Sequence, residues 1–136
     1  MRLAPLAMLL LAASIAAATE PDAKLEAAPL KGATVLCTIR ATDDQSPAPH
    51  LVFDGPCRFL SEGKGGSFSL SALDGHSPLY AGMLDVSVTV VASGKAEVRG
   101  LTAEGINSRW GEARRSKADP ACWKGNDFEI CARRKK

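Results

Sequence analysis

Four cysteines are the residues of this sequence whose spacing says most about its chemistry. A zinc site would need ligands two to four residues apart, with a second close pair or histidines. The only two histidines, His50 and His76, lie in segments flanked by proline or glycine, away from both cysteine pairs in sequence. A C-x-x-C motif is absent, and an even count leaves no odd thiol. We therefore predict two disulfides and neither a metal site nor a cofactor, with the cysteines being Cys37, Cys57, Cys122 and Cys131.

The pairing of the cysteines is predicted from a hairpin near the end of the chain. In ACWKGNDFEIC, a turn centred on Asn126–Asp127 places Cys122 opposite Cys131, at a Cα separation of about 4.5 Å. The same register gives one apolar face (Trp123, Phe128, Ile130) and, on the other face, a Lys124–Glu129 ion pair. Four cysteines allow three pairings. We predict Cys122–Cys131 and, across a proline-rich segment, Cys37–Cys57.

A possible nucleophile stands in the segment SALDGHSP, which contains Ser71, Asp74, His76 and Ser77. A Ser/His/Asp triad usually draws its members from separate parts of a fold, and no G-x-S-x-G elbow is present. Asp-Gly followed by Ser-Pro is ordinary turn chemistry. We therefore predict no catalytic residues.

The segment INSRWGEARRSK, residues 106–117, combines tryptophan with several cations. Arginine and tryptophan are the side chains that most often anchor interfaces, and guanidinium groups bind carboxylates and phosphates. The alternative is that the tryptophan packs in the core and the arginines form a solvated strand edge. The predicted binding residues are Arg109, Trp110, Arg114, Arg115 and Lys117.

The first residues predict export. Arg2 precedes an apolar run, and Ala16-x-Ala18 matches a signal-peptidase site, so residues 1–18 are expected to be a signal peptide. Residues 19–31 are expected to be a linker, and 32–136 a single β domain with a basic C-terminal tail. No later segment is apolar enough for stable membrane insertion. The predicted location is periplasmic or secreted.

Charge is distributed unevenly along the exported part. Residues 19–108 carry 7 basic and 11 acidic side chains, whereas residues 109–136 carry 9 basic and 4 acidic ones. Such asymmetry can steer an anionic partner to the C-terminal part. The alternative is that the tail, Arg133 to Lys136, is solvated and only aids solubility. A nucleic-acid partner fits poorly with an exported protein whose net charge is close to zero.

Short stretches with alternating polarity predict the fold. The clearest is residues 83–91, where Leu84, Val86, Val88 and Val90 alternate with polar side chains. Prolines 47 and 49 predict a loop over Asp43–His50, and Asp54-Gly55-Pro56 is expected to separate two short strands. No apolar pattern at helical spacing persists over three turns. The predicted fold is all-β, a small antiparallel barrel or sandwich stapled by two disulfides.

The strings GPCRF, GGSF, SRWGEARRS and ACWKG…FEICA together form a pattern. They resemble a group of small secreted bacterial proteins that share a GPC…GSF…W…ACW…CA pattern, over residues 37–132. The resemblance implies a Gram-negative envelope setting. It implies no activity.

These observations predict a non-enzymatic binding module that engages a protein or an anionic envelope component through the Arg/Trp-rich segment. The alternative is an inhibitor of a cell-wall hydrolase, of the lysozyme-inhibitor type, although a basic surface would repel a basic lysozyme. A small hydrolase using Asp74 or His76 is the least favoured. The sequence leaves the oligomeric state open.

Overall fold

The computed structural model describes residues 31–135; the predicted signal peptide and all but the last residue of the predicted linker lie outside them. Each strand pairs antiparallel with the next, and the last pairs with the first, so the sheet closes into a barrel. The all-β prediction is confirmed. The strands are β1 (Ala33–Asp43), β2 (Ser46–Ser61), β3 (Phe68–Ser71), β4 (Met83–Ala92), β5 (Lys95–Thr102), β6 (Asn107–Arg115), β7 (Cys122–Lys124) and β8 (Glu129–Arg134).

Alternation of side chains along each strand builds the interior. On β4, Val86 and Val88 are fully buried while Thr89 is exposed, as the period-two pattern predicts. Leu84, predicted to face the same way, is only half-buried and lies outside the core, because the register with β5 shifts between Met83 and Asp85. An eight-stranded barrel has an interior just wide enough to be filled by side chains. The fully buried aliphatic residues are Ile39, Leu70, Val86, Val88, Val98 and Ile130.

Both predicted disulfides are present. Cys122 and Cys131 are direct partners in the β7–β8 register, with Cα atoms 4.0 Å apart. Cys37 and Cys57 join β1 to β2 over 5.9 Å and are fully buried. Two disulfides are compatible with an oxidising compartment.

The predicted ion pair of the last hairpin is wrong, although its register is confirmed. Lys124 lies opposite Glu129, but they form no ion pair among residues 31–135. The Glu129 carboxylate instead lies 3.9 Å from Sγ of Cys131. Trp123, Phe128 and Ile130 are buried as expected.

The loop predicted over Asp43–His50 is wrong for most of its length, because β2 begins at Ser46. The pairing of β1 with β2 skips from Ala41–His50 to Asp43–Ser46, so Pro47 and Pro49 have no partner on β1. They are tolerated because no ladder hydrogen bond needs an amide hydrogen at these positions. The break predicted at Asp54-Gly55-Pro56 is also absent. Pairing between β2 and β3 covers only Arg58–Ser61, so this part of β2 pairs with β1 alone within the described chain.

Residues 31–135 contain no helix, and therefore none with the length and apolarity of a membrane span.

Candidate functional site

Strand β6 carries most of the predicted binding residues and directs them to different places. The strand continues past Trp110 to Arg115. A bulge lies between the pairs Val98–Gly111 and Arg99–Arg109 and leaves Trp110 as the extra residue. Gly111, with φ of 129°, provides the conformation that this bulge needs.

Trp110 packs inward at one end of the barrel. Its ring contacts Phe128 edge-on, with centroids 5.7 Å apart. A Cβ atom at Gly100 would lie 2.8 Å from the indole nitrogen of Trp110, so the glycine on β5 provides the space for this ring. The indole thus lines the cavity at this end of the barrel, which Arg109 also lines.

Arg115 lies at the opposite end of the barrel. Its Nε donates a hydrogen bond of 2.8 Å to the carbonyl oxygen of Pro120, and its guanidinium carbon stands 5.8 Å from the centre of the Trp123 ring. Lys117 is exposed in the connection between β6 and β7. The five predicted binding residues therefore do not form one patch.

The remaining two, Arg109 and Arg114, belong to a regular array on the outer face of three neighbouring strands. Arg114 is paired with Lys95 on β5 and with Lys124 on β7, so three cations stand side by side. Further along the same face, Arg109 is opposite Arg99. We call this set the cationic grid: Lys95, Arg99, Arg109, Arg114 and Lys124, with Glu97 and Glu112 between them.

Each glutamate of the cationic grid bridges two cations. Glu97 accepts hydrogen bonds from Arg109 at 2.6 Å and Arg99 at 3.3 Å. Glu112 lies 3.4 Å from Lys95 and 3.5 Å from Arg114. Within the grid, five cations stand with two carboxylates, and Glu129 borders it opposite Lys124.

The pKa of Glu97 reflects this arrangement. The hydrogen bond from Arg109 is the largest influence and lowers the pKa below its usual value. Partial desolvation opposes the shift, whereas the charges of Arg109 and Arg99 reinforce it. Glu97 therefore stays ionised and continues to hold both arginines in place at mildly acidic pH.

Sequence reasoning missed Lys95, Arg99 and Lys124 because they lie on strands that flank β6 in space. The sequence does allow part of this arrangement to be predicted. A hairpin of residues 95–102 and 107–115 with Lys95 opposite Arg114 would place Arg99 opposite Trp110 in a regular register, and only the bulge brings Arg99 opposite Arg109.

The two ends of the barrel open into cavities of opposite character. The cavity beside Arg115 measures about 590 Å³ and is mainly apolar, and we call it the arginine mouth. The other measures about 710 Å³ and is lined by aromatic rings, including Trp110, and by acidic side chains. The charged residues lining this second, acidic mouth are Asp43, Asp44, His50, Arg109 and Asp127.

Local contacts set the ionisation of two groups at the acidic mouth. Desolvation acts against ionisation of Asp43, but amide hydrogen bonds from Gln45 and Ser46, with the nearby His50 ring at 3.0 Å, hold its pKa below the usual value. Burial raises the pKa of Tyr80. Asp43 thus keeps its charge at the rim while Tyr80 keeps its proton inside.

The Asp74–Ser77 segment forms a turn in which the serine is bonded directly to the carboxylate. The Asp74 carboxylate accepts hydrogen bonds from the hydroxyl of Ser77 and from the backbone amides of His76 and Ser77. In a hydrolase triad the imidazole would stand between the two. Here the hydroxyl bond to Asp74 lowers its pKa to about 2, which makes this carboxylate a weak base.

One group of side chains within residues 31–135 has the spacing of a metal site, namely Cys122, Glu129 and Cys131. Its two sulfur atoms are joined in a disulfide and are therefore not available as thiolate ligands.

No family model, no curated protein and no solved structure matches this chain, so no function carries over from a relative.

Proposed function

We propose that this protein is an exported, non-enzymatic binding module that holds an anionic polymer of the cell envelope on the cationic grid. The observation that carries the proposal is the row Lys95–Arg114–Lys124, in which like charges occupy directly opposing positions on three strands. Cross-strand pairs of like charge destabilise a sheet, whereas opposite charges stabilise it. An anionic partner bound between these cations would relieve their repulsion and would thereby be held more tightly.

The dimensions of the grid favour a polymer over a single small ion. Neighbouring strands lie about 4.8 Å apart, so a row across three strands spans about 10 Å. Lys95 and Arg99 are four residues apart on β5, which corresponds to about 13 Å. A chain with repeated phosphate, sulfate or carboxylate groups can contact both rows together.

The geometry of the arginines also supports an anionic partner. The side chains of Arg109 and Arg114 are 59% and 74% exposed, so each keeps N–H donors in contact with solvent beside its glutamate. A guanidinium group offers five donors, and a single carboxylate uses only one or two of them. The remaining donors can bind a second anion.

The leader predicted at residues 1–18 and the two disulfides support export to the periplasm or the exterior. An envelope component is the anionic polymer that such a protein would meet there.

The test compares binding to immobilised dextran sulfate with binding to uncharged dextran. Wild type is expected to bind only the sulfated polymer, with an affinity that falls as salt is raised. Arg99→Glu/Arg114→Glu is expected to bind at least tenfold more weakly. The control Lys64→Glu/Lys135→Glu makes the same change in net charge outside the grid and is expected to lose less than twofold.

Equal losses in the two variants would show that net charge alone governs binding and would reject the grid. A second arm uses the same proteins to capture components from an envelope extract. Capture that depends on Arg99 and Arg114 and survives protease treatment of the extract supports a polymer. Capture that protease abolishes would reject the polymer in favour of a protein partner.

A further inference from the structure

A second binding site is suggested by the arginine mouth, which shares no residue with the cationic grid. The mouth is surrounded by the start of β1, the end of β8 and the connections β2–β3, β4–β5 and β6–β7. Its volume of about 590 Å³ lies within the range of small-molecule sites. Barrels of eight strands can hold one small ligand in this way.

The inner part of the arginine mouth is apolar. Phe59 and Phe68 stack against each other there, with ring centroids 4.7 Å apart. The side chains that form this apolar surface are Val35, Phe59, Phe68, Val90, Trp123 and Ala132. A ligand entering the mouth would therefore bury hydrocarbon or aromatic surface against it.

The only charged residues that line the arginine mouth within residues 31–135 are Arg115 and Arg134. No ion pair in the described part of the chain includes either of them. Among the described residues, the cavity thus combines an apolar interior with two cations and no carboxylate. This is the opposite of the acidic mouth at the other end.

Arg115 is held in position before any ligand arrives. Its Nε is bonded to the carbonyl oxygen of Pro120 and its guanidinium lies over Trp123. No hydrogen bond within residues 31–135 uses its two terminal nitrogens. A preorganised guanidinium loses little side-chain entropy when it binds an anion.

The entrance is open where the loops are glycine-rich. A Cβ atom at Gly65 or Gly94 would meet no other atom of the described residues within 4 Å, so there is open space beside both of these lining positions. A ligand can enter between the β2–β3 and β4–β5 connections.

We propose that the arginine mouth binds a small amphipathic anion, with its apolar body against Phe59, Phe68 and Trp123 and its charged group between Arg115 and Arg134. A carboxylate, a sulfonate or a phosphate monoester would satisfy the two guanidinium groups. A ligand with the same apolar body but an uncharged head group could not form the ionic contact with the two arginines. A ligand with a cationic head group would be repelled by them.

The test is titration of the mature protein with decanoate, decanol and decyltrimethylammonium by calorimetry. Decanoate is expected to bind one-to-one and at least tenfold more tightly than decanol, with no measurable binding of the cation. Equal binding of decanoate and decanol, or no binding of decanoate, would overturn the proposal.

Two variants locate the charge contact. Arg115→Gln/Arg134→Gln is expected to reduce the preference for decanoate over decanol by at least tenfold. The control is Arg40→Gln/Arg133→Gln, which removes two exposed cations, one from β1 and one from β8, that do not line the mouth, and it is expected to leave that preference unchanged. An unchanged preference in the first variant, with its circular dichroism spectrum intact, would contradict the site.

The two tryptophans locate the ligand, because Trp123 lines the arginine mouth and Trp110 lines the acidic mouth. In ¹H–¹⁵N spectra, decanoate is expected to shift the indole resonance of Trp123 and to leave that of Trp110 in place. A shift confined to Trp110 would place the ligand at the wrong end of the barrel and refute the inference. A negative result for the arginine mouth would not contradict the proposal for the cationic grid, since the two sites are tested with different ligands and variants.

Discussion

Asp74 shows how a short turn can set the chemistry of one residue. The Ser77 hydroxyl is the largest influence on its pKa, and the amides of Ser77 and His76 add to it. Because these bonds favour the ionised carboxylate, the pKa falls from 3.8 to about 2. The bonds therefore stabilise the folded state above pH 3.8, and this contribution is lost as the pH falls through about 2.

We predict that Ser77→Ala raises the pKa of Asp74 toward 3.8, because the strongest of these bonds is removed. Carboxyl ¹³C shifts followed by NMR during an acid titration measure the change. Asp43, whose low pKa depends on Gln45, Ser46 and His50, is the internal control and should be unaffected. An unaltered Asp74 titration would mean that the amide bonds alone suffice.

The structure leaves no room for a side chain at Gly125. The Phe128 ring lies against it across the β7–β8 turn, and a Cβ atom there would come within 2.2 Å of the ring. Phe128 is buried and also contacts Trp110. Any side chain at position 125 must therefore displace a core aromatic ring.

We predict that Gly125→Ala lowers the free energy of unfolding by about 2 kcal/mol or more, as overpacking of a core does. Urea unfolding followed by circular dichroism measures it. Gly55→Ala is the matched control, because its Cβ would meet only Phe53, at 3.8 Å, and it is expected to stay within about 0.5 kcal/mol of wild type. Comparable losses in both proteins would argue against the steric explanation.

At the level of elements, the two disulfides act on different lengths of chain. Cys37–Cys57 spans 20 residues and fixes β1 to β2, whereas Cys122–Cys131 spans 9 residues and fixes β7 to β8. Chain entropy gives the longer loop about 3.3 kcal/mol and the shorter about 2.6 kcal/mol. The first pair is also fully buried, so its removal leaves a cavity as well.

We predict that Cys37→Ala/Cys57→Ala lowers the free energy of unfolding by more than Cys122→Ala/Cys131→Ala does. Thermal and urea unfolding under non-reducing conditions compare the two variants with wild type. The opposite order would mean that the strands joined by the short disulfide depend on it for their pairing. Since β7 has only three residues, that outcome would identify it as the weakest element of the barrel.

At the level of the whole molecule, the barrel depends on pairing between its first and last strands. β1 and β8 share six residue pairs, and Ile39 faces Ile130 directly, both fully buried. These contacts join segments about ninety residues apart in sequence, so their loop-closure entropy is large compared with that of a hairpin. Closure also positions both mouths and curves the outer face that carries the grid.

We predict that Ile39→Ala and Ile130→Ala each cost about 2–5 kcal/mol, as buried aliphatic truncations do. The double variant should show a coupling energy of about 0.5–3 kcal/mol, because the two side chains are in the same cross-strand pair. Urea unfolding of the four proteins completes the cycle. Simple additivity of the two losses would indicate that the β1–β8 seam contributes little through this pair.

Several local features of this protein could be predicted from its sequence alone. Alternation on β4 predicted the burial of Val86 and Val88, and the spacing of Cys122 and Cys131 predicted the register of the last hairpin. These follow from contacts between residues close in sequence, where side-chain period and turn geometry leave few choices. The Cys37–Cys57 pairing belongs with them, since β1 and β2 are consecutive strands.

Other features depend on contacts between residues that are distant in sequence. Alternating strands fit a sandwich as well as a barrel, and pairing of β1 with β8 excluded the sandwich. Pro47 and Pro49 could stay in β2 because they lie where the ladder with β1 is interrupted. The arginines adjacent in sequence, Arg114 and Arg115, were divided between the outer face and a barrel mouth. Neighbours in sequence point to opposite sides of a strand, so a functional surface is assembled from residues on different strands.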